Sequence, residues 1–222
     1  MKDFTPVATV YDLPLVLVLN PAQMPSVTDL QKLITHAKAR PGQLNYTSSG
    51  PGSFGHLSME LLKQMGGFDM QHVPYKGGGE VAVQLVGKHV DSTVNNPIEA
   101  VAQWRAGSLR PLCVFDDTRM PYKAKVTDTQ SWNDIPTCKE AGVPADYVML
   151  RGIFAAPGIS ADQLAYYVNL LKKIRDTPDW KEYMEKGAFN QTFLTGADFN
   201  KWLTTAETTH RTLMQEAGFL AK

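Results

Sequence analysis

The chain has 222 residues, of which 43% are hydrophobic and 20% charged, values ordinary for a globular protein that exclude a disordered, collagen-like or coiled-coil chain. Lys+Arg and Asp+Glu are each 22, so the formal charge is zero. No overall basic field is present to hold nucleic acid or an anionic membrane, so any bound anion has to be held by local geometry.

The first twenty residues carry one early lysine, then Asp3 and prolines, with no apolar core behind a basic start, which argues against a signal peptide in this stretch. The longest apolar run, 13–19, is too short to span a bilayer and contains Pro14. Residues 7–10 and 15–19 read as strands split by Asp12-Leu13-Pro14. A helix follows over 26–39, with Ser26 as its N-cap, Val27, Leu30, Leu33, Ile34 and Ala37 on one face, and Arg40-Pro41-Gly42 as its stop. A strand over 44–48 runs into Ser49-Gly50-Pro51-Gly52-Ser53, and the next helix carries Leu57, Leu61, Leu62 and Met65 before Gly66-Gly67.

The rhythm repeats. Residues 70–74 read as a strand, 75–79 as a glycine-rich turn and 80–86 as a helix. Residues 90–94 read as a strand, Asn95-Asn96 as a turn and 98–105 as a helix, with Pro97 at the first helical position. A strand over 109–115 closes the series. Serial β-α alternation predicts a mostly parallel sheet with helices on both faces. The periodicity weakens over 116–146, where a short helix is expected near 137–141. Beyond lie a strand-like run over 147–155, helices over 160–176, 180–186 and 196–217, and a short strand over 189–194. These last strands have too few neighbours for a full sheet.

Cys113 and Cys138 match no zinc spacing and no CxxC pair. Two separate, partly buried thiols are the expectation, and a disulfide only in an oxidising compartment. The five histidines show no metal-ligand spacing, so neither a metal nor a cofactor is expected.

The strongest local signal is positional. Three strand ends deliver small residues directly into helices: Ser48, Ser49, Gly50 and Ser53; then Tyr75, Lys76, Gly77 and Gly78; then Asn95 and Asn96. In a parallel sheet such loops gather at the carboxyl ends of the strands, where unpaired amides and helix dipoles hold anions. Ordinary capped turns would look the same. Neither a P-loop nor GxGxxG is matched, which argues against a dinucleotide. Ser53 and His56 raise a serine-hydrolase reading, with no GxSxG elbow behind it. Arg151, inside an apolar run, either pairs with an acidic side chain or meets a carboxylate ligand.

Several motifs in order resemble the substrate-binding receptors of tripartite tricarboxylate transporters, the Bug-type proteins. They include Asp3-Phe4-Thr5-Pro6-Val7-Ala8, Leu44-Asn45-Tyr46-Thr47-Ser48-Ser49-Gly50-Pro51-Gly52-Ser53, His72-Val73-Pro74-Tyr75-Lys76-Gly77-Gly78, Asn95-Asn96-Pro97 and Arg151-Gly152-Ile153-Phe154-Ala155-Ala156-Pro157-Gly158. The resemblance implies a periplasmic binding protein fold of the second type, with two α/β lobes of mostly parallel sheet and a cleft that closes on a small carboxylate. It implies a periplasmic location, membrane subunits as partners, no nucleic acid and no catalysis.

It also implies that N-terminal βα units are missing, so that 1–16 and 148–222 are the remainder of lobe 1 and 17–147 is lobe 2. Ser48, Ser49, Gly50, Ser53, Tyr75, Lys76, Gly77, Asn95 and Asn96 would line lobe 2's side of the cleft, with His56, Gly78 and Arg151 as further candidates. A ligand-sensing domain of a regulatory system is the alternative on the same fold.

Overall fold

The computed structural model describes residues 3–220. The chain forms two compact units: unit 1 holds residues up to Leu13 and Met149–Thr212, and unit 2 holds Pro14–Val148 and the residues from Leu213.

Unit 2 is built on a five-stranded sheet. Its strands are β2 (Val16–Leu19), β3 (Asn45–Ser48), β4 (Gln71–Pro74), β5 (Ser92–Asn95) and β6 (Arg110–Val114), in the order β4-β3-β5-β2-β6. β3 runs parallel to β4 and to β5, whereas β2 is antiparallel to both β5 and β6. Four strands therefore share one direction and β2 is reversed among them. The helices are α1 (Leu30–Lys38), α2 (Phe54–Gly66), α3 (Gly78–Val86) and α4 (Pro97–Arg105). β2 is buried throughout, and its Leu17 and Leu19 join Leu30 and Leu33 of α1 and Leu57 and Leu62 of α2 in one core. Each such leucine contributes about 1.5–3 kcal/mol by leaving water.

The local differences from expectation have physical causes. α1 starts at Leu30 rather than near Ser26, because the Asp29 carboxylate accepts the Lys32 amide at 2.9 Å and caps the first turn there. Residues 137–141 form a single turn instead of a helix. There the Glu140 carboxylate accepts the Thr137 amide and Thr137 Oγ1 accepts the Glu140 amide, closing both ends.

Cys113 and Cys138 form a disulfide, contrary to the expectation of separate thiols. Val114 and Thr137 make a parallel bridge, which brings the two Cα atoms to 4.9 Å, inside the range a disulfide needs. Both cysteines are fully buried.

Unit 1 has a two-stranded sheet, β1 (Thr5–Leu13) antiparallel to β7 (Met149–Ala155). Unit 1, expected to be an incomplete lobe, carries no full sheet among the described residues, and its one strand pair is antiparallel. Its two strands come from distant parts of the chain that run in opposite directions. Residues 189–194 form no strand; two isolated bridges, Asp12 to Asn190 and Ala8 to Thr195, tie this segment to β1. The helices are α5 (Ala161–Arg175), opened by a capping box between Ser160 and Gln163, α6 (Pro178–Gly187) and α7 (Gly196–Glu216), whose residues from Leu213 belong to unit 2. Leu13, Met184 and Phe189 form a small core with Tyr11, Met149 and Trp180 around it.

Candidate functional site

The order β4-β3-β5 and the shared direction of these strands bring their carboxyl ends to one edge of the unit 2 sheet. Ser48 is registered with Pro74 and Thr47 with Thr93. Two contacts tie the turns beyond: the Tyr75 amide donates to the Ser48 carbonyl at 3.0 Å, and Asn95 Nδ2 donates to the Gly78 carbonyl at 3.5 Å. Loops 48–53 and 75–79 and the pair Asn95-Asn96 therefore stand side by side, each leading into a helix start.

The first loop is largely satisfied from within. Ser48 is buried; its hydroxyl donates to the Gly50 carbonyl at 3.0 Å and lies 2.8 Å from His72 Nε2. The amides of Gly50, Gly52 and Ser53 donate to Ser48 Oγ, His56 Nδ1 and the Gly50 carbonyl. Ser53 is the N-cap of α2, accepting the His56 amide. Gly50 and Gly52 both adopt positive φ, at 140° and 70°, which a side chain would strain. Ser49 is exposed.

The other two helix starts are more open. Gly77, at φ 81°, is the N-cap of α3, and Asn96 is the N-cap of α4; neither supplies a side-chain cap. The amides at the start of a helix have no partner within it, so an uncapped start presents donors and the positive end of the dipole. Lys76 is exposed and Tyr75 half-buried. Two carboxylates attend these starts: Glu80 accepts the Lys76 amide at 2.9 Å, and Glu99 accepts from Asn96 Nδ2 at 3.0 Å. Asn95 is buried and its Oδ1 accepts the Asn96 amide. Asn96 Oδ1 is buried with no partner among the described residues.

The histidines behind the first loop carry a contribution that sequence reading missed. His56 stacks on His72, which stacks in turn on Tyr46. Burial lowers the pKa of both imidazoles, and for His72, with His56 adding to it, the value falls to about 4. Neutral rings are what the loop needs, because His56 Nδ1 serves as an acceptor. Tyr46 donates its hydroxyl to Glu60, and Lys63 bridges Glu60 and Asp69 at 2.9 and 3.1 Å.

The geometry disfavours nucleophilic chemistry at Ser53: its hydroxyl accepts the backbone amide of His56, while the ring turns to Gly52. Ser48 does contact an imidazole but is buried. Among the described residues no group of three or more His, Cys, Asp or Glu is placed to hold a metal, and no helix is long and apolar enough to cross a membrane.

Arg151 lies in β7 of unit 1, paired across the sheet with Tyr11. Burial raises the Tyr11 pKa, Tyr183 adds to that rise and Arg151 opposes it. A cleft of about 650 Å³ in unit 2 is lined by Lys38, Lys63, Asp69 and Glu216 near the carboxyl ends of α1 and α2, and by none of the loop residues.

A family model described as the tripartite tricarboxylate transporter family receptor, TctC, matches residues 1–219. Protein BugT of Bordetella pertussis is 33% identical over 144 residues, 65% of this chain and 41% of that protein. A UPF0065 protein in the gbd 5′ region of Cupriavidus necator is 28% identical over 202 residues, 91% of this chain and 58% of that protein. The chain thus spans about half the length of the curated relatives it matches. The solved structure of R. palustris Rpa4515 with adipate is similar at a TM-score of 0.78 and 27% identity, covering 98% of this chain and 69% of that one. The α/β fold, the ordered motifs and a match over nearly the whole chain make this protein a member of the tripartite tricarboxylate transporter receptor family.

Proposed function

We propose that the chain is a solute-binding receptor that captures a small carboxylate at the adjacent loops of unit 2. The observation that carries this reading is the pair of helix starts without a side-chain cap, at Gly77 and Asn96, beside the loop 48–53. Such starts supply amide donors and dipole without net charge, as a chain of formal charge zero requires. Ligation falls to Gly77, Gly78, Asn95 and Asn96, with Lys76 adding charge, Tyr75 and Ser49 lining the rim, and Ser48, Gly50, Ser53 and His56 fixing the first loop. That a relative was solved with adipate supports a carboxylate ligand.

In this reading unit 2, Pro14–Val148 with the residues from Leu213, is the ligand-binding lobe, and unit 1 belongs to the other. A second lobe closes over the ligand by hinge motion, and the closed form is presented to membrane subunits. The buried disulfide fits an oxidising compartment, which the periplasm is. The protein performs no catalysis.

Amide NMR of the isotope-labelled chain titrated with adipate and a series of mono-, di- and tricarboxylates tests this. The amides of 77–79 and 95–96 are expected to shift in a saturable manner even where affinity is millimolar. A full titration that leaves these amides unmoved removes the site.

A further inference from the structure

α4 starts among the candidate loops and ends at a second, separate cleft. At about 1.5 Å per residue its nine residues span roughly 13 Å. Beyond Arg105 the chain reverses through Gly107, at φ 70°, and enters β6 at Arg110. The amides of Ala106, Gly107, Ser108 and Leu109 return to carbonyls of Ala102, Gln103 and Trp104, so this helix end is already capped. β6 runs in the direction of β5, because both are antiparallel to β2. Its first residue, Arg110, therefore sits on the sheet edge opposite the candidate loops.

The cleft at this edge has a volume of about 360 Å³. Arg105 and Arg110 both line it, with Trp104, which is buried and packs on Trp132. Each guanidinium makes one hydrogen bond among the described residues, and each goes to a neutral backbone carbonyl: Arg105 Nε to Val126 at 3.2 Å and Arg110 Nη1 to Val27 at 2.7 Å. Neither enters an ion pair among the described residues. The carbonyls fix the side chains and leave both charges whole. Both terminal nitrogens of Arg105, and Nε and Nη2 of Arg110, keep donors to spend.

The turn 127–130 completes the lining. Thr127 Oγ1 accepts the amides of Thr129 and Gln130 at 3.4 and 3.0 Å, so its hydrogen is left to donate. Asp128 is the one carboxylate on the lining and is exposed. Two positive charges thus stand against one negative, in a chain whose formal charge is zero. Two guanidinium groups sharing one cleft repel each other, and a compact dianion answers both.

We propose that this cleft is a second anion site and that it takes a dianionic phosphate group, free or as a monoester. The planar guanidinium fork matches phosphate oxygens two at a time. Phosphate also carries on one group the double charge that two arginines meet, which a monocarboxylate does not. Hydroxyls on the organic part of an ester find acceptors in Asp128 and Gln130. The site shares no residue with the candidate loops and stands or falls apart from carboxylate capture there.

The test is NMR of the isotope-labelled chain at about pH 7.5, where a phosphate monoester is mainly a dianion. Inorganic phosphate, glycerol 3-phosphate and acetate are titrated at matched ionic strength. Saturable shifts are expected in the amides of 127–130 and in the Nε signals of Arg105 and Arg110 with a phosphate and not with acetate. The tighter of the two phosphates identifies a free ion or an ester as the ligand. Arg105→Gln is expected to raise the Kd at least about tenfold and to leave the thermal midpoint unchanged, because the side chain is exposed. Arg110 is half-buried, so Arg110→Lys is used there. It keeps the charge, loses the fork and should weaken binding roughly threefold or more. Asp128→Asn should tighten it. Signals that neither phosphate moves, an equal response to acetate, or wild-type affinity in Arg105→Gln overturns the proposal. The response of amides 77–79 and 95–96 to carboxylates, read in the same variants, keeps failure here distinct from failure of the other site.

Discussion

His56 and His72 stack face to face, with ring centroids 3.6 Å apart and planes 20° from parallel. Two imidazolium ions at that separation would repel, and Lys63 opposes protonation of either ring while Glu60 favours it. The rings belong to α2 and β4, whose register with β3 also places His72 Nε2 beside Ser48 Oγ. The stack therefore links helix, strand and first loop through groups that must stay neutral.

A pH dependence follows. The folded-state pKa of His72 is depressed from 6.5 to about 4, so between these values the unfolded chain binds more protons than the folded one. Stability is full above about pH 6.5 and falls as pH drops toward about 4. His56 is shifted in the same direction. Urea melts across this window should show the loss, and His72→Gln should flatten it. A parallel pH dependence in the variant would assign the effect to other groups.

The disulfide closes a loop of 25 residues, which by chain entropy stabilises the fold by about 3.5 kcal/mol. Replacing both Cys113 and Cys138 by alanine should lower unfolding free energy by roughly that amount, with a small addition for lost packing. Protease susceptibility of residues 116–136 should rise with it, since the bond anchors that segment to β6. A change below about 1 kcal/mol would mean that the Val114–Thr137 bridge alone holds it.

Much of the fold was legible in the residues. The β-α rhythm from Leu44 to Val114 set out strands and helices within a few positions, because each helix has one apolar face and a small-residue start. The reversal of β2 was not legible: Val16-Leu17-Val18-Leu19 is buried on both sides and reads the same in either direction. The disulfide was hidden because a spacing of 25 says nothing until the Val114–Thr137 bridge forms. The internal satisfaction of the first loop was equally hidden, since the His72–Ser48 contact depends on the β3–β4 register.

Gly77 and Gly79 should respond oppositely to alanine. Gly77 sits at φ 81°, where a side chain costs roughly 1–2 kcal/mol. Gly79 is within α3 at ordinary φ, with open space where a Cβ would lie, and alanine there should stabilise by up to about 1 kcal/mol. Thermal melts of Gly77→Ala and Gly79→Ala compare the two directly. Equal effects would contradict a positive-φ glycine cap at the start of α3.

Glu80 and Glu99 set the last expectation. Each places a carboxylate in the first turn of a helix whose start lacks a side-chain cap, one accepting the Lys76 amide and the other an Asn96 amide proton. Both charges repel an arriving anion while occupying donors it could use. Glu99→Gln keeps an acceptor for Asn96 and removes the charge. It should therefore tighten carboxylate binding by roughly 1 kcal/mol or less at low salt, and the gain should shrink as added salt screens the interaction. Glu80→Gln should act in the same direction. Titration calorimetry at two ionic strengths separates this from a packing effect, which salt would leave alone. Binding that is indifferent to both substitutions would place the anion away from these helix starts, because a charge so near the amides cannot be neutral toward a ligand held by them.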